Sequence, residues 1–247
     1  MTRSIEQIIE RQLHRWDRVA ATLGYDPLHP PQGAKGARSQ AQVARQPVIA
    51  ISRDLGVHEG EIARGLAAAL DYEIFGKAII DRIAEDVNVQ RRFIDERDEH
   101  LRSALALMIE GSLAGRHIDN REYFESLARV LRGVARRGGV IILGRGATIL
   151  LRGEAALSVR LVAGMDERIR FLCEQDQISE REARAKIDKS DRERHGFVRH
   201  FFHADINNAT LYDIVINTGR FTPEACIELI LAALKARGVE IRRHVEV

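Results

Sequence analysis

The chain has 247 residues, of which 45% are hydrophobic and 30% charged, a balance typical of a globular protein with a sizeable core. Its 38 basic and 36 acidic side chains nearly cancel to a net charge of +2, which gives no indication of a nucleic-acid partner. We also expect no membrane partner and a cytoplasmic location, because no apolar run approaches the roughly 20 residues that cross a bilayer and the N-terminus lacks a signal-peptide pattern. Cys173 and Cys226 lie in apolar helical patterns, which predicts buried free thiols.

The first 46 residues predict an appendage to the main domain. Residues 1–24 contain an amphipathic helix, with one apolar stripe at helical spacing. Residues 25–46 have no apolar period and are rich in proline and glycine, as in a linker. The helix would pack either on its own main domain, 47–247, or on a second copy of the chain, which would make the protein a homo-oligomer.

The main domain alternates short apolar runs with helical patterns. The runs that predict strands are 48–51, 72–75, one within 138–147, 157–163 and 212–217. The helical patterns include 61–70, a helix-rich stretch over 95–136, a helix that opens on Asp166 and two helices with clear start signals. This alternation predicts an α/β fold with a parallel five-stranded sheet and helices on both faces.

Start and stop signals mark the last two predicted helices. Ser179 with Glu182 three residues later forms a capping-box pattern. Thr222 is suited to an N-cap, Pro223 to the first helical position and Gly238 to the end of that helix.

The ends of three predicted strands carry unusual residues. They read SRDLGVHEGE (52–61), GRGAT (144–148) and NTGR (217–220). Ligands bind at the carboxyl ends of the strands in parallel sheets, so the three segments together predict a ligand site.

The loop after the first strand has the setting of a phosphate cradle, between a buried strand and a helix. Gly56 and Gly60 would permit the backbone angles that aim amide groups at a phosphate. A Walker A loop would have a lysine and then a hydroxyl where this chain has Glu59 and Glu61. Arg53 would then supply positive charge, and Glu61 would be the magnesium ligand. Taken alone, the loop is better explained as an ordinary glycine turn.

Arginines elsewhere favour the phosphate interpretation. Arg145 lies between two glycines just past the third strand, where a guanidinium can bind a phosphate through two hydrogen bonds. Lys189, Arg192, Arg194 and Arg199 are typical of a basic lid that closes over a transferring phosphate. Interleaved acidic residues make a solvated charged face a serious alternative for this segment.

The order of these segments resembles the cytidylate kinase-like family of P-loop proteins. The resemblance runs through VIAISRDLG, VIILGRGATILLR, DERIRFLCEQ, SDRER and YDIVINTGR, and it covers about 47–236. It implies a P-loop kinase fold with a helical NMP-binding insertion at about 77–136 and a lid at about 178–205. It also implies an enzyme that uses ATP with Mg²⁺ to phosphorylate a nucleoside monophosphate, CMP or dCMP.

The same resemblance implies roles for individual residues. The loop from Ser52 to Glu61 would cradle the donor phosphates. Arg145 matches the arginine of the family's DGRD segment, which contacts the acceptor nucleotide. Arg192 and Arg194 match the lid arginines of DDRDR.

The segment after the fifth strand corresponds to the donor base. Asn217, Thr218 and Arg220 lie where relatives contact the donor adenine. No residue of the insertion is assigned to the acceptor base.

The chain departs from the family pattern in two places. Family members often read SREFGSGGREIA in the loop, whereas this chain has His58 and Glu59 in place of the two later glycines. The aspartates of DGRD are replaced by Leu143 and Gly146. A non-catalytic nucleotide-binding sensor or partner protein with a degenerate loop is therefore the alternative, and a purely structural module is a third hypothesis.

Three further side chains or groups allow two interpretations each. Asp54 is expected to cap its turn rather than to bind magnesium. Phe201 and Phe202 are expected to anchor the lid to the core rather than to stack on a base. His195, His200 and His203 are expected to be lid or surface histidines rather than metal ligands.

Overall fold

The computed structural model describes residues 47–77, 80, 120–154 and 156–239. The chain forms two compact units, Met1–Gln40 with Ala78–Gly133, and Ala41–Lys77 with Val134–Val247. The predicted N-terminal helix, the predicted linker and most of the predicted insertion lie outside the described residues. In the part that is described, no helix is long and apolar enough to cross a membrane.

A five-stranded sheet forms the centre of the second unit. Its strands are β1 (Val48–Arg53), β2 (Glu73–Phe75), β3 (Val140–Leu143), β4 (Ala156–Val162) and β5 (Ile214–Asn217). The strand order is β2-β3-β1-β4-β5, and every neighbouring pair is parallel. The five predicted strands and the parallel sheet are confirmed, with β5 beginning two residues later than predicted.

Helices connect the strands, as the alternating pattern predicts. They are α1 (Glu59–Leu70), α2 (Asn120–Arg137), α3 (Ala147–Leu150), α4 (Met165–Asp176), α5 (Glu180–Phe202) and α6 (Pro223–Ala236), with a short 3₁₀ turn at Ala209–Leu211. The Ser179 capping box and the Thr222 cap are both formed. Two helices begin earlier than predicted, α1 at Glu59 and α4 at Met165.

The main core lies between the sheet and two helices. The buried faces of α1 and α6, including Ile62, Leu66 and Ile230, pack against apolar side chains of β1, β3, β4 and β5. Burying one such side chain contributes about 1.5–3 kcal/mol, so this face is what holds β1 and its following loop in place. Cys226 is part of the core, whereas Cys173 is only partly buried, so the expectation of two buried thiols is correct for Cys226 alone.

A second, smaller apolar cluster fixes the predicted lid helix. Ile169 and Leu172 of α4 pack against Ala183 and Ile187 of α5. The 23 residues of α5 extend over about 35 Å. Its first half is therefore held on α4, and its second half extends toward the carboxyl edge of the sheet.

The connections of the sheet place a crevice beside β1. The chain leaves β1 toward β2 on one side, and it leaves β4 toward β5 on the other. Ligands of open parallel sheets bind where adjacent strands have connections in opposite directions. The loop that follows β1 lies at this point.

Candidate active site

The loop after β1 has two residues with left-handed backbone. Gly56 has φ 83°, and His58, the N-cap of α1, has φ 56°. Gly60 lies in the first turn of α1, so the prediction that it supplies an unusual backbone angle is wrong. The reason is the earlier start of α1, which makes His58, in place of a family glycine, the residue at which the chain turns into the helix.

Most amide groups of this loop have no backbone acceptor in the part of the chain that the structure describes. Within the described residues, the amides of residues 55–60 donate to no backbone carbonyl, and the first amides to do so are those of Glu61 and Ile62, which bond to His58 O at 3.1 Å. Unpaired amides at the start of a helix favour an anion. The loop therefore retains the backbone property that phosphate binding requires.

Arg53, the last residue of β1, is a partly buried cation beside this loop, and its Nε atom is fully buried. Its Nε has no hydrogen-bond partner among the described residues. Burial, and then the positive charge of Arg194, lower the pKa of Arg53 to about 10. A β-carbon at Gly144 would clash with the Arg53 guanidinium, so the glycine after β3 makes room for it. An anion in this space would supply the missing partner.

The GRG turn after β3 consists of three successive left-handed residues. Gly144, Arg145 and Gly146 have φ values of 85°, 52° and 67°. The Arg145 guanidinium carbon lies 5.2 Å from the ring centroid of Phe197, within the range of a cation–π contact. A β-carbon at Gly146 would overlap the ring of Phe202. The turn thus holds Arg145 against an aromatic surface of α5.

The lid arginines differ in position. Arg194 lines the same cavity as Arg53 and Arg145 and bonds to Ser190 Oγ. Burial lowers the pKa of Arg194, and the negative charges of Glu59 and Asp191 act in the opposite direction. Arg192 is exposed and does not line the cavity. Sequence reasoning assigned the two arginines the same role, and the structure brings only Arg194 to the other site residues.

These arginines surround one cavity at the carboxyl edge of the sheet. Its volume is about 160 Å³, many times the ~10–15 Å³ that one water molecule occupies. Its polar lining comes from Ser52, Arg53, Lys77, Arg145, Thr148, Ser190, Glu193, Arg194 and Tyr212. Four of these residues are cations and one is a carboxylate, so the cavity is suited to an anionic ligand.

A buried ion pair braces the cavity from the side of β4. Arg160, only 3% exposed, pairs with Asp54 at 2.5 Å and donates to Ser52 Oγ at 3.3 Å. The Asp54 carboxylate is therefore paired with Arg160 of β4. This contact is neither the turn cap nor the magnesium ligand considered from the sequence. Tyr212 O–H donates to Ile206 O at 2.7 Å and lies 3.5 Å from Ser52 Oγ.

Sequence reasoning missed Lys77, Arg160, Phe197 and Tyr212. One signal was present for Arg160, since a charged residue inside the apolar run LSVRLVA needs a partner when the strand is buried. The other three residues reach the cavity through chain connections that sequence spacing does not reveal.

The residues assigned to the donor base lie at the end of β5, away from the cavity. Thr218 is buried and bonds to Val162 O, and the side-chain oxygen of Asn217 accepts from the Gly219 amide. Arg220 is exposed. None of the three lines the cavity of the arginines.

The carboxylates of the loop, Glu59 and Glu61, do not line the arginine cavity. Glu61 is half exposed, with Oε1 3.5 Å from His58 Nδ1. Glu59 and Glu61 both line a second, open cavity between α1 and α4, together with Gly56 and Gly60. The described residues contain no group of three or more His, Cys, Asp or Glu that could hold a metal, and the role of Glu61 as a magnesium ligand stays a prediction.

Other lid residues fit structural roles. The ring of Phe202 packs on Gly146, and Phe197 contacts both Phe201 and Phe202. The aromatic residues thus join α5 to the GRG turn, which agrees with the anchoring role expected of Phe201 and Phe202.

Comparison with known proteins identifies the family. The family model described as the cytidylate kinase-like family matches residues 48–220, most of the chain. The chain belongs to the cytidylate kinase-like family. Its parallel sheet and strand order are those of the P-loop kinase fold, as the sequence predicts.

Relatives of this family member cover most of its length. A cytidylate kinase of Halobacterium salinarum is 27% identical over 195 residues, 78% of this chain and 92% of that protein. A cytidylate kinase of Ignicoccus hospitalis is 26% identical over 184 residues, 74% of this chain and 96% of that protein. Among solved structures, an uncharacterized protein from Eubacterium ventriosum has a TM-score of 0.61 and 18% identity, covering 78% of this chain and all of that one.

Proposed function

We propose that this protein is a kinase that transfers the γ-phosphoryl group of ATP to a nucleoside monophosphate in the presence of Mg²⁺. The observation that carries the proposal is the convergence of Arg53, Arg145 and Arg194 on one cavity at the carboxyl ends of β1 and β3. The membership of a kinase family and the unpaired amides of the loop support it. CMP or dCMP is the proposed acceptor, because the relatives in Halobacterium salinarum and Ignicoccus hospitalis are named cytidylate kinases.

Each arginine has a separate task in this proposal. The loop amides and Arg53 bind the donor phosphates, and Arg145 orients the acceptor phosphate. Arg194 interacts with the phosphoryl group in transfer, and Arg192 would join it only in a more closed arrangement of α5. Asn217, Thr218 and Arg220 are proposed to contact the donor adenine.

The chemistry requires positioning and charge rather than a protein base. An oxygen of the acceptor phosphate forms a bond to the γ-phosphorus while the bond from that phosphorus to the β–γ bridging oxygen breaks. The products are ADP and a nucleoside diphosphate, and the acceptor oxygen carries no proton that a side chain must remove. Cations aimed at the transferring group stabilise the charge that spreads over its oxygens. Magnesium held by Glu61 would neutralise further phosphate charge.

Turnover by the purified protein tests the proposal. The protein is incubated with ATP and Mg²⁺ and, separately, CMP, dCMP, UMP, AMP or GMP, and the products are separated. We expect a diphosphate from CMP or dCMP, and a loss of at least tenfold in kcat/KM in Arg145→Ala. Arg170→Ala, which removes an exposed arginine of α4, is the control and should retain turnover.

A nucleotide-binding protein without catalysis is the second candidate. Glu59 and Glu61 favour it, because they stand where a Walker A loop has a lysine and a hydroxyl. The double variant Glu59→Lys/Glu61→Thr separates the two. A sharp gain in donor affinity, with no turnover in the unaltered protein, supports a lapsed loop. Loss of an existing activity in the variant means that the carboxylates take part in the reaction.

The proposed homo-oligomer stays a prediction. It depends on the helix predicted for residues 1–24, and these residues lie outside the described part of the chain.

A further inference from the structure

Arg168, in the first turn of α4, has a set of contacts that the phosphate arginines do not have. It is 5% exposed and none of its nitrogens lines the arginine cavity. Its Nε donates to the carbonyl oxygen of Leu55 at 2.8 Å, and its two terminal nitrogens donate to the carboxylate of Asp191 at 2.7 and 3.0 Å. One side chain therefore bonds to the loop after β1 and to the lid helix α5.

The loop also rests on the backbone of the same residue. A β-carbon at Gly56 would lie 2.9 Å from Arg168 O, so the turn of the loop passes directly over α4. Leu55 and Gly56 are thus fixed at two points on Arg168, immediately before the amides that face no backbone acceptor. Arg168 is therefore in direct contact with the loop next to those amides.

The other end of the link reaches a cavity residue. Asp191 is three residues before Arg194 on α5, so the two side chains lie on neighbouring positions of one helix face. A bidentate carboxylate–guanidinium pair fixes both distance and orientation. Rotation or displacement of α5 at Asp191 would therefore move Arg194 and strain the bond to Leu55 together.

We propose that Arg168 is a positioning residue that couples the phosphate loop to the lid helix, so that the loop amides and Arg194 adopt their binding geometry as one unit. The proposal rests on the proposed function only for its consequence in catalysis. The coupling itself concerns the protein alone and is measurable without a nucleotide.

Asp191→Asn tests the coupling, because it keeps the size of the side chain and removes the charge that orients Arg168. The measurement is the {¹H}–¹⁵N NOE and the amide shift of Gly56, Glu59 and Gly60 in the ¹⁵N-labelled full chain. We expect a clear loss of NOE at these loop amides. Asp188→Asn, one turn earlier on α5 and without an ion pair among the described residues, should leave them unchanged.

A second variant tests whether the effect of Asp191→Asn on the loop amides is only a general loss of structure. Asp191→Glu retains the negative charge and should restore most of the NOE of the loop amides. If position 191 had only a packing role, Asp191→Glu and Asp191→Asn should lower the NOE alike. If Asp191→Asn does not fold, Arg168→Lys, which keeps one charge but cannot bond to Leu55 and Asp191 together, is measured in its place. Unchanged loop amides in the folded variant would overturn the coupling.

Kinetics then connect the coupling to the reaction. If the unaltered protein turns over, Asp191→Asn should raise the KM for ATP and lower kcat, each by several-fold, since both loop and lid geometry relax. If the unaltered protein neither binds nor turns over nucleotides, the proposed function fails, while the NOE result still decides whether Arg168 couples loop and lid.

Discussion

Arg160 and Asp54 form a buried ion pair 106 residues apart in the chain, with 2.5 Å between Nη2 and Oδ1. Arg160 points from the middle of β4 across to the residue that follows β1. The pair thus fixes the start of the loop after β1 to the neighbouring strand β4. At this point the connections of the sheet run in opposite directions.

Breaking this pair should destabilise the fold strongly. Asp54→Ala leaves Arg160 buried and without its carboxylate, which we expect to cost about 3–5 kcal/mol in the free energy of unfolding. Replacing both partners, Asp54→Leu with Arg160→Met, should recover most of that loss. Asp176→Ala, which breaks the exposed pair with Lys186, should cost less than about 1 kcal/mol. Urea unfolding of the four proteins measures these values, and equal losses in both single variants would contradict the argument.

The GRG turn should tolerate no side chain at its second glycine. Gly146→Ala places a methyl group into the ring of Phe202 and also strains the left-handed backbone, for a combined loss of about 2–4 kcal/mol. Gly153→Ala is the matched control, since Gly153 has φ 85° but open space around it. The difference between the two variants in urea unfolding isolates the contact with Phe202.

The same contact predicts non-additive behaviour. Phe202→Ala removes the obstacle, so Gly146→Ala should cost less in that background, with a coupling of about 1–3 kcal/mol. Simple additivity of the two substitutions would mean that α5 does not rest on the turn in solution. Any larger side chain at position 146 would meet the same ring.

Much of the fold follows from local sequence, as the strands demonstrate. Residues 48–51 and 140–143 are short apolar runs because both faces of a central parallel strand are buried, and this pattern is visible without the structure. The caps at Ser179 and Thr222 are equally local, since each is satisfied by an amide three residues later.

The site was harder to predict because its contacts join distant residues. Arg53 and Arg145 were found from their positions at strand ends, which the parallel topology brings to one edge. Arg160 and Arg168 were not, since their partners Ser52, Asp54, Leu55 and Asp191 are identified only once the strands and α4 are placed. Gly60 was assigned an unusual backbone because the start of α1 was predicted two residues late.

Arg53 should strengthen the binding of an anionic ligand and lower the free energy of unfolding of the unliganded protein. Arg53→Met keeps much of the volume and removes a partly buried cation whose buried Nε has no partner among the described residues, so we expect a gain of about 1–3 kcal/mol in the free energy of unfolding. Binding of pyrophosphate, measured by calorimetry, should fall at least tenfold in the same variant. A less stable variant would show that Arg53 already has adequate partners.

The pKa of Arg53 predicts the pH range of this effect. Burial lowers the pKa of Arg53 to about 10 in the folded protein, well below that of an ordinary guanidinium. Folding therefore opposes protonation of Arg53, and this penalty is complete below about pH 10 and decreases as the pH rises above it. The stability advantage of Arg53→Met should stay constant from about pH 8 to about pH 9.5 and shrink between about pH 10 and about pH 11, when both proteins are unfolded with urea at each pH.

Glu59 should weaken phosphate binding while it stabilises the empty site. Although burial and Arg194 lower the pKa of Arg53, the charge of Glu59 acts against that lowering, as it does for Arg194. The carboxylate therefore lies close enough to both cations to offset their mutual repulsion. The same charge would repel a bound phosphate.

Glu59→Gln separates these two effects. We expect tighter binding of pyrophosphate by roughly fivefold, equivalent to about 1 kcal/mol, together with a small loss of stability in the absence of ligand. Both changes follow from removing one negative charge beside two cations, and calorimetry and urea unfolding measure them on the same preparation. Glu180→Gln, at the exposed start of α5, controls for net charge and should leave binding unchanged.

Glu61→Gln completes the comparison, because its carboxylate is proposed to act through magnesium. It should weaken ATP binding several-fold when Mg²⁺ is present and have little effect when Mg²⁺ is replaced by EDTA. Opposite effects of Glu59→Gln and Glu61→Gln would mean that the two carboxylates of the loop have different roles. Glu59 would offset the positive charge of the arginines, and Glu61 would bind the magnesium ion. If Glu59→Gln instead weakened pyrophosphate binding, the carboxylate would be holding Arg53 and Arg194 in their binding positions, and the account of Glu59 as a repulsive charge would be wrong.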